Sequence, residues 1–93
     1  MRSIIQTEKR CYLCGSTVGL ERHHCIHGSV WRLLADNYGL TVYLCGRCHR
    51  DGKVGVHGQN TEADLKLKRV AQRAFEKKWN HDIWMLQFKR NYL

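Results

Sequence analysis

The chain contains no proline. Its turns must therefore be made by glycine and short polar residues. It has no apolar run near the roughly 20 residues that cross a bilayer, so no membrane partner is expected. Met1 to Gln6 lacks the apolar stretch of an export signal, and the expected location is cytoplasmic. Repeats, low-complexity tracts and linkers are absent, and 93 residues predict one domain over 1–93 with a small apolar core. The cysteine count, five, is odd, which leaves no complete disulfide framework. A reducing compartment would disfavour disulfides in any case.

Acidic residues are scarce. Sixteen Lys and Arg face eight Asp and Glu, giving a formal net charge of +8 and a pI near 9.6. That excess points to a polyanionic partner, nucleic acid first. Lys66, Lys68, Arg69, Arg73, Lys77, Lys78, Lys89 and Arg90 crowd the last third of the chain.

Four of the five cysteines fall in two pairs, Cys11-Tyr-Leu-Cys14 and Cys45-Gly-Arg-Cys48. A two-residue gap lets both sulfurs of a pair reach one metal, and two separated pairs suit two knuckles. Four thiolates make a closed tetrahedral zinc site with Zn–S of about 2.3 Å. A chain this short gains from such a staple. Cys25 is left over and reads as a small buried hydrophobe.

Gly15 after Cys14 suits a knuckle, and Val18 to Cys25 reads as a turn and a strand. Ser29 is the expected N-cap of a helix through Asp36, with Gly39 ending it. Thr41-Val-Tyr-Leu44 is a β-branched and aromatic run, expected to be a strand delivering Cys45. The glycine-rich stretch Asp51 to Asn60 is a loop. Thr61-x-x-Asp64 resembles a capping box. From it Leu67, Val70, Ala71, Ala74 and Phe75 recur at helical spacing, with most basic residues off that stripe, to about Trp79. Asn80 is placed to cap a last helix whose Trp84 and Phe88 belong to the core.

Between the cysteine pairs lies Glu21-Arg-His23-His24, and His49 follows Cys48 directly. On a strand, His23 and His24 point to opposite sides and have separate roles. One can hold a metal while the other takes a proton from water. Glu21 is placed to orient a ligand histidine from behind. His27 and His81 carry no clear role, although His27 lies close enough to the pair to contact a phosphate or metal.

Cys-x-x-Cys, Glu-x-His-His and a strand ending in Leu-Cys-x-x-Cys-His together resemble the HNH, or His-Me finger, endonucleases. The resemblance covers about Cys11 to His57, half the chain. The layout, with its Asn-Tyr-Gly-Leu-x-Val-Tyr-Leu-Cys stretch, is also similar to small phage HNH-like proteins. It implies a small α+β fold, a zinc-stapled ββα-metal finger over 1–60 with basic C-terminal helices over 61–93. It implies His23 as a ligand of the catalytic metal, His24 as the general base and His49 as a further ligand. His57, between Gly55 and Gly58, is the candidate third ligand. The implied cofactors are structural Zn2+ on Cys11, Cys14, Cys45 and Cys48, and a second divalent ion on His23, His49 and His57. Zn2+, Ni2+ and Mn2+ suit imidazole better than Mg2+.

The chain departs from the HNH pattern in three places. The slot of the middle Asn is Leu40, with Asn37 three residues earlier, the family's usual proline after the His pair is replaced around His27, and glycines interrupt the start of the finger helix. The implied reaction is hydrolysis of DNA phosphodiester bonds, in the host cytoplasm if the protein is phage-encoded. Lys66, Lys68, Arg69, Arg73 and Lys77 are the expected phosphate contacts. Two other readings stand beside it. One is a non-catalytic zinc-finger-like phage accessory protein that binds nucleic acid. The other is a protein-interaction module whose charge serves solubility.

Overall fold

A computed structural model describes residues 1–93. The protein is a small α+β domain with one two-stranded antiparallel sheet and four helices. In chain order these are β1 (Leu20–His24), α1 (Ser29–Asn37), β2 (Thr41–Cys45), α2 (Gly46–Arg50), α3 (Thr61–Lys78) and α4 (His81–Phe88). No helix is long and apolar enough to cross a membrane.

The strands pair with Leu20 opposite Cys45 and His24 opposite Thr41. Strand alternation then puts Glu21 and His23 on one face of the sheet with Val42 and Leu44. Arg22 and His24 share the other face with Tyr43 and Thr41. Helix α1 is inserted between the strands and returns the chain through Gly39, whose φ of 71° lies in the left-handed region. A Cβ there would collide with the Arg2 carbonyl oxygen. The close approach lets the Ile4 N–H donate to Gly39 O at 2.9 Å, tying the N-terminal segment to the turn before β2.

The core is one cluster of 14 buried residues, three of them aromatic. Phe75, Trp84 and Phe88 are buried, with Tyr38 and Trp79 packed against Phe75 at 5.0 and 4.7 Å between ring centres. Such edge and offset contacts add to area burial. Leu67, Ala71 and Phe75 bring α3 onto this core, while Leu86 points outward at 68% exposure. Trp84 Nε1 donates to Arg90 O, and buried Gln72 holds Asn91 and Tyr92, so the last residues fold back on α3.

Three local expectations are corrected. The residue before α1 is Gly28, not Ser29, and it supplies no side-chain cap. The cap of α3 is Asn60, whose side chain accepts from Ala63 N–H at 3.1 Å. Asp64 is therefore no capping-box partner and pairs elsewhere. Between β2 and the glycine-rich loop the chain forms a five-residue helix, α2, where no helix was expected. Asn80 does cap α4, accepting from Ile83 N–H at 2.8 Å.

Candidate metal centres

Cys11, Cys14, Cys45 and Cys48 converge, with all four sulfurs within 4.8 Å of one another. The Cys14 and Cys45 sulfurs are 3.6 Å apart, close to the roughly 3.8 Å edge of a tetrahedron with Zn–S of 2.3 Å. The first pair is shaped as a knuckle. Gly15, at φ 80°, turns the chain so that its N–H donates to Cys11 O, while Cys11 N–H donates to Ser16 O. Tyr12 N–H donates to Tyr43 O at 2.8 Å and fastens the knuckle to β2. The second pair straddles the β2–α2 junction.

Burial would raise the Cys11 thiol, but the backbone groups of Cys45, Cys14 and Leu13 outweigh it and lower its pKa to about 6. The opposite holds for Cys48, pushed up by burial and by its three sulfur neighbours. One site thus holds one thiol that ionises easily and one that needs a cation. Four such donors fit zinc. Cys25 lies outside the cluster, fully buried, its thiol pushed up by desolvation.

The second cluster is His23, His49 and His57, whose donor atoms also lie within 4.8 Å of one another. Each comes from a different element. His23 sits on β1 with 1% exposure and His49 sits on α2. His57 comes from the glycine-rich loop. That loop folds back on α2 because Val56 N–H donates to Cys48 O and His57 N–H to His49 O. Gly55 and Gly58 make the turn possible, since a Cβ at Gly55 would strike the Asp51 backbone. Ring centres are 5.1 Å apart for His23–His49 and His23–His57, and 4.7 Å for His49–His57.

Both ring nitrogens of His23 are buried with no hydrogen-bond partner. Buried polar atoms are nearly always satisfied. Burial and then His49, His57 and His27 lower the His23 pKa to about 3, so the ring is neutral and its lone pair free. His57 is lowered by burial and then by His49 and His27. Three converging imidazoles, one of them buried with no protein partner, fit a divalent cation.

Carboxylates stand behind the rings. Glu21 accepts from His49 Nδ1 at 2.9 Å and is bound by Arg50. The His49 bond, with Arg50, lowers the Glu21 pKa and keeps it an acceptor. This fixes His49 with Nε2 as its free nitrogen. His27 Nε2 meets Asp64 at 2.9 Å. On the opposite face of the sheet, His24 Nε2 meets Asp36 at 3.3 Å, and Asp36 also accepts from Arg22 at 2.9 Å. Burial lowers His24 more than Asp36 raises it.

The basic residues of α3 separate. Lys66, Arg73 and Lys77 are exposed and make no ion pair, and Arg69 is exposed with its Nε donating to Tyr92 O. Lys68 is turned inward at 22% side-chain exposure, 2.9 Å from Asp64 and over the Tyr92 ring.

Asp36 and Asp64 are functional partners that the sequence does not mark. Their pairings span 12 and 37 residues of chain, with no local pattern to mark them. Comparison with protein-family models, curated proteins and solved structures finds no match to this chain.

Proposed function

We propose that this protein is a metal-dependent endonuclease of the HNH type that hydrolyses DNA phosphodiester bonds. The observation that carries the reading is His23. It is a neutral buried ring whose two nitrogens lack partners, set between His49 and His57. The run β1, β2, α2 supports reading the core as a ββα-metal finger, with α1 inserted between its strands.

A divalent ion held by His23, His49 and His57 would neutralise charge on the phosphate and the leaving oxygen. The chain itself supplies the rest. Glu21 holds His49 in one tautomer. His57 is exposed, which opens the site to a substrate. A histidine beside the site can take the proton of the attacking water. Lys66, Arg69, Arg73 and Lys77 form an outer basic face for phosphate contacts. The histidine donors favour Zn2+, Ni2+ or Mn2+ over Mg2+.

The test is nicking of a supercoiled plasmid with each of these four ions. The reading expects cleavage by the wild type, and its loss in His57→Ala with the cysteine-bound zinc retained. If none of the ions supports cleavage of plasmid or single-stranded DNA, the reading fails. A second reading, a non-catalytic nucleic-acid-binding accessory protein, is favoured by the outer basic face. Lys66, Arg73 and Lys77 make no ion pair with any group of the histidine site. Salt-sensitive DNA binding without cleavage would select it.

A further inference from the structure

Two histidine–carboxylate pairs flank the sheet, one on each side. His24 with Asp36 lies on the face opposite His23. His27 with Asp64 lies beside the histidine cluster, 5.1 Å from the His57 ring and 6.1 Å from the His23 ring.

Spacing sets the role of His27. The rings of the cluster stand 4.7–5.1 Å apart. His27 matches that distance to His57 but lies further from His23, and its nitrogens fall outside the converging donors. It stands at the rim, where a bound molecule rather than a shared ion would meet it. Its side chain is 35% exposed, so water and substrate can reach it.

Asp64 fixes the ring. This carboxylate is 14% exposed and also held by Lys68 at 2.9 Å. Burial would raise its pKa, but the His27 and Lys68 bonds prevail and lower it, so it is an ionised acceptor. The proton of a neutral His27 therefore sits on Nε2. Nδ1, with no protein partner, carries the lone pair. This is the arrangement by which a carboxylate orients a histidine for proton transfer.

We propose that His27 is the proton acceptor of the hydrolysis and Asp64 its positioning residue. This rests on the nuclease reading above. The attacking water gives one proton to His27 Nδ1, and its oxygen forms the new bond to phosphorus. The bond from phosphorus to the leaving nucleoside oxygen breaks. Its electron pair stays on that oxygen, which takes a proton from solvent. His27 then returns its proton to solvent.

The experiment measures plasmid nicking with Mn2+, metal per chain and circular dichroism for wild type, His27→Ala, His27→Gln and Asp64→Asn. His27→Ala should lose about two to four orders of magnitude in kcat, with KM little changed. It should keep its full metal complement, and added imidazole should restore part of the rate. His27→Gln, with no cavity for imidazole, should be as slow and unrescued. Asp64→Asn should lose less and also not respond to imidazole. A folded His27→Ala or His27→Gln chain that cuts as fast as wild type overturns the inference and leaves the nuclease reading standing. Loss of rate together with the histidine-bound metal, unrescued by imidazole, also overturns it. A wild type that cuts no DNA overturns both.

Discussion

The cysteine and histidine clusters share the same strand–helix junction, yet they differ in donor set and in exposure. Cys48 and His49 are neighbours on α2, but successive helical residues diverge by about 100°, so one side chain joins each cluster. The cysteine side is complete: four sulfurs, no carboxylate partner, and backbone groups turned toward Cys11. The histidine side has three donors, an exposed member in His57, and carboxylates behind His49 and beside His27. A full donor set leaves a metal nothing to do but hold chain segments together. An incomplete set, backed by orienting carboxylates, leaves room for a reacting molecule.

The largest expected effect falls on the cysteine side. Only 19 of 93 residues are buried, so the core alone is thin. Structural zinc contributes about 10–16 kcal/mol in small domains, comparable to a whole domain's stability of about 5–15 kcal/mol. Removing all zinc, or replacing Cys11 with Ser, should therefore unfold much of the protein. Unchanged far-UV circular dichroism and melting after verified zinc removal would end the staple argument.

On the histidine side the expected effect is on rate. His57→Ala should leave the melting transition almost in place, because His57 is exposed. It should remove cleavage, a loss of at least about two orders of magnitude. A matching loss of stability would make the two clusters alike and undo the contrast. His24→Ala sharpens it further, since His24 lies across the sheet from His23. It should cut at close to the wild-type rate, whereas the base role that the HNH resemblance implies for His24 would cost about two to four orders of magnitude; its rate beside that of His27→Ala decides which histidine takes the proton.

A smaller effect concerns the basic face. Replacing Lys66, Arg73 and Lys77 with Gln should flatten the log–log salt dependence of duplex DNA binding by up to about three units, near 0.9 per phosphate contact. Lys68→Gln should leave that slope unchanged, because Lys68 is committed to Asp64 and Tyr92. Filter binding across a salt series reads both.

The smallest effect is on pH dependence in protein carrying only the cysteine-bound ion. The His23 pKa is lowered from 6.5 to about 3, first by burial. Below pH 6.5 the unfolded chain takes up a proton that the folded chain refuses until about pH 3. Stability should thus fall as pH falls through that window, by up to about 1.4 kcal/mol per pH unit. His23→Gln should lack this component when urea midpoints are compared between pH 6.5 and 5. Equal slopes would mean that His23 is not held neutral by burial.

What the sequence revealed follows the range of the interactions. Both cysteine pairs, the strand Thr41–Cys45, the Asn80 cap and the burial of Trp84 and Phe88 rest on local spacing, and all were legible. The meeting of His23 and His49 was implied by the HNH resemblance, and His57 joined them as a candidate because glycines on both sides let its loop fold back. The capping of α3 was misassigned because Asn60, Thr61 and Asp64 all suit a helix start, and tertiary pairing with His27 draws Asp64 away. Lys68 read as one more surface charge, since nothing local reveals that Asp64 and Tyr92 enclose it. Helix α2 is five residues beginning at a glycine, too short for any period to show.

The contrast rests on two metal sites of different kind on one small domain. Native mass spectrometry of the wild type and of a His49→Ala/His57→Ala double variant, titrated with Zn2+, tests it directly. The account predicts two ions per wild-type chain and one per folded variant chain, the remaining ion lost only on unfolding. A wild type that never binds more than one ion, or a double variant that still binds two, would contradict it.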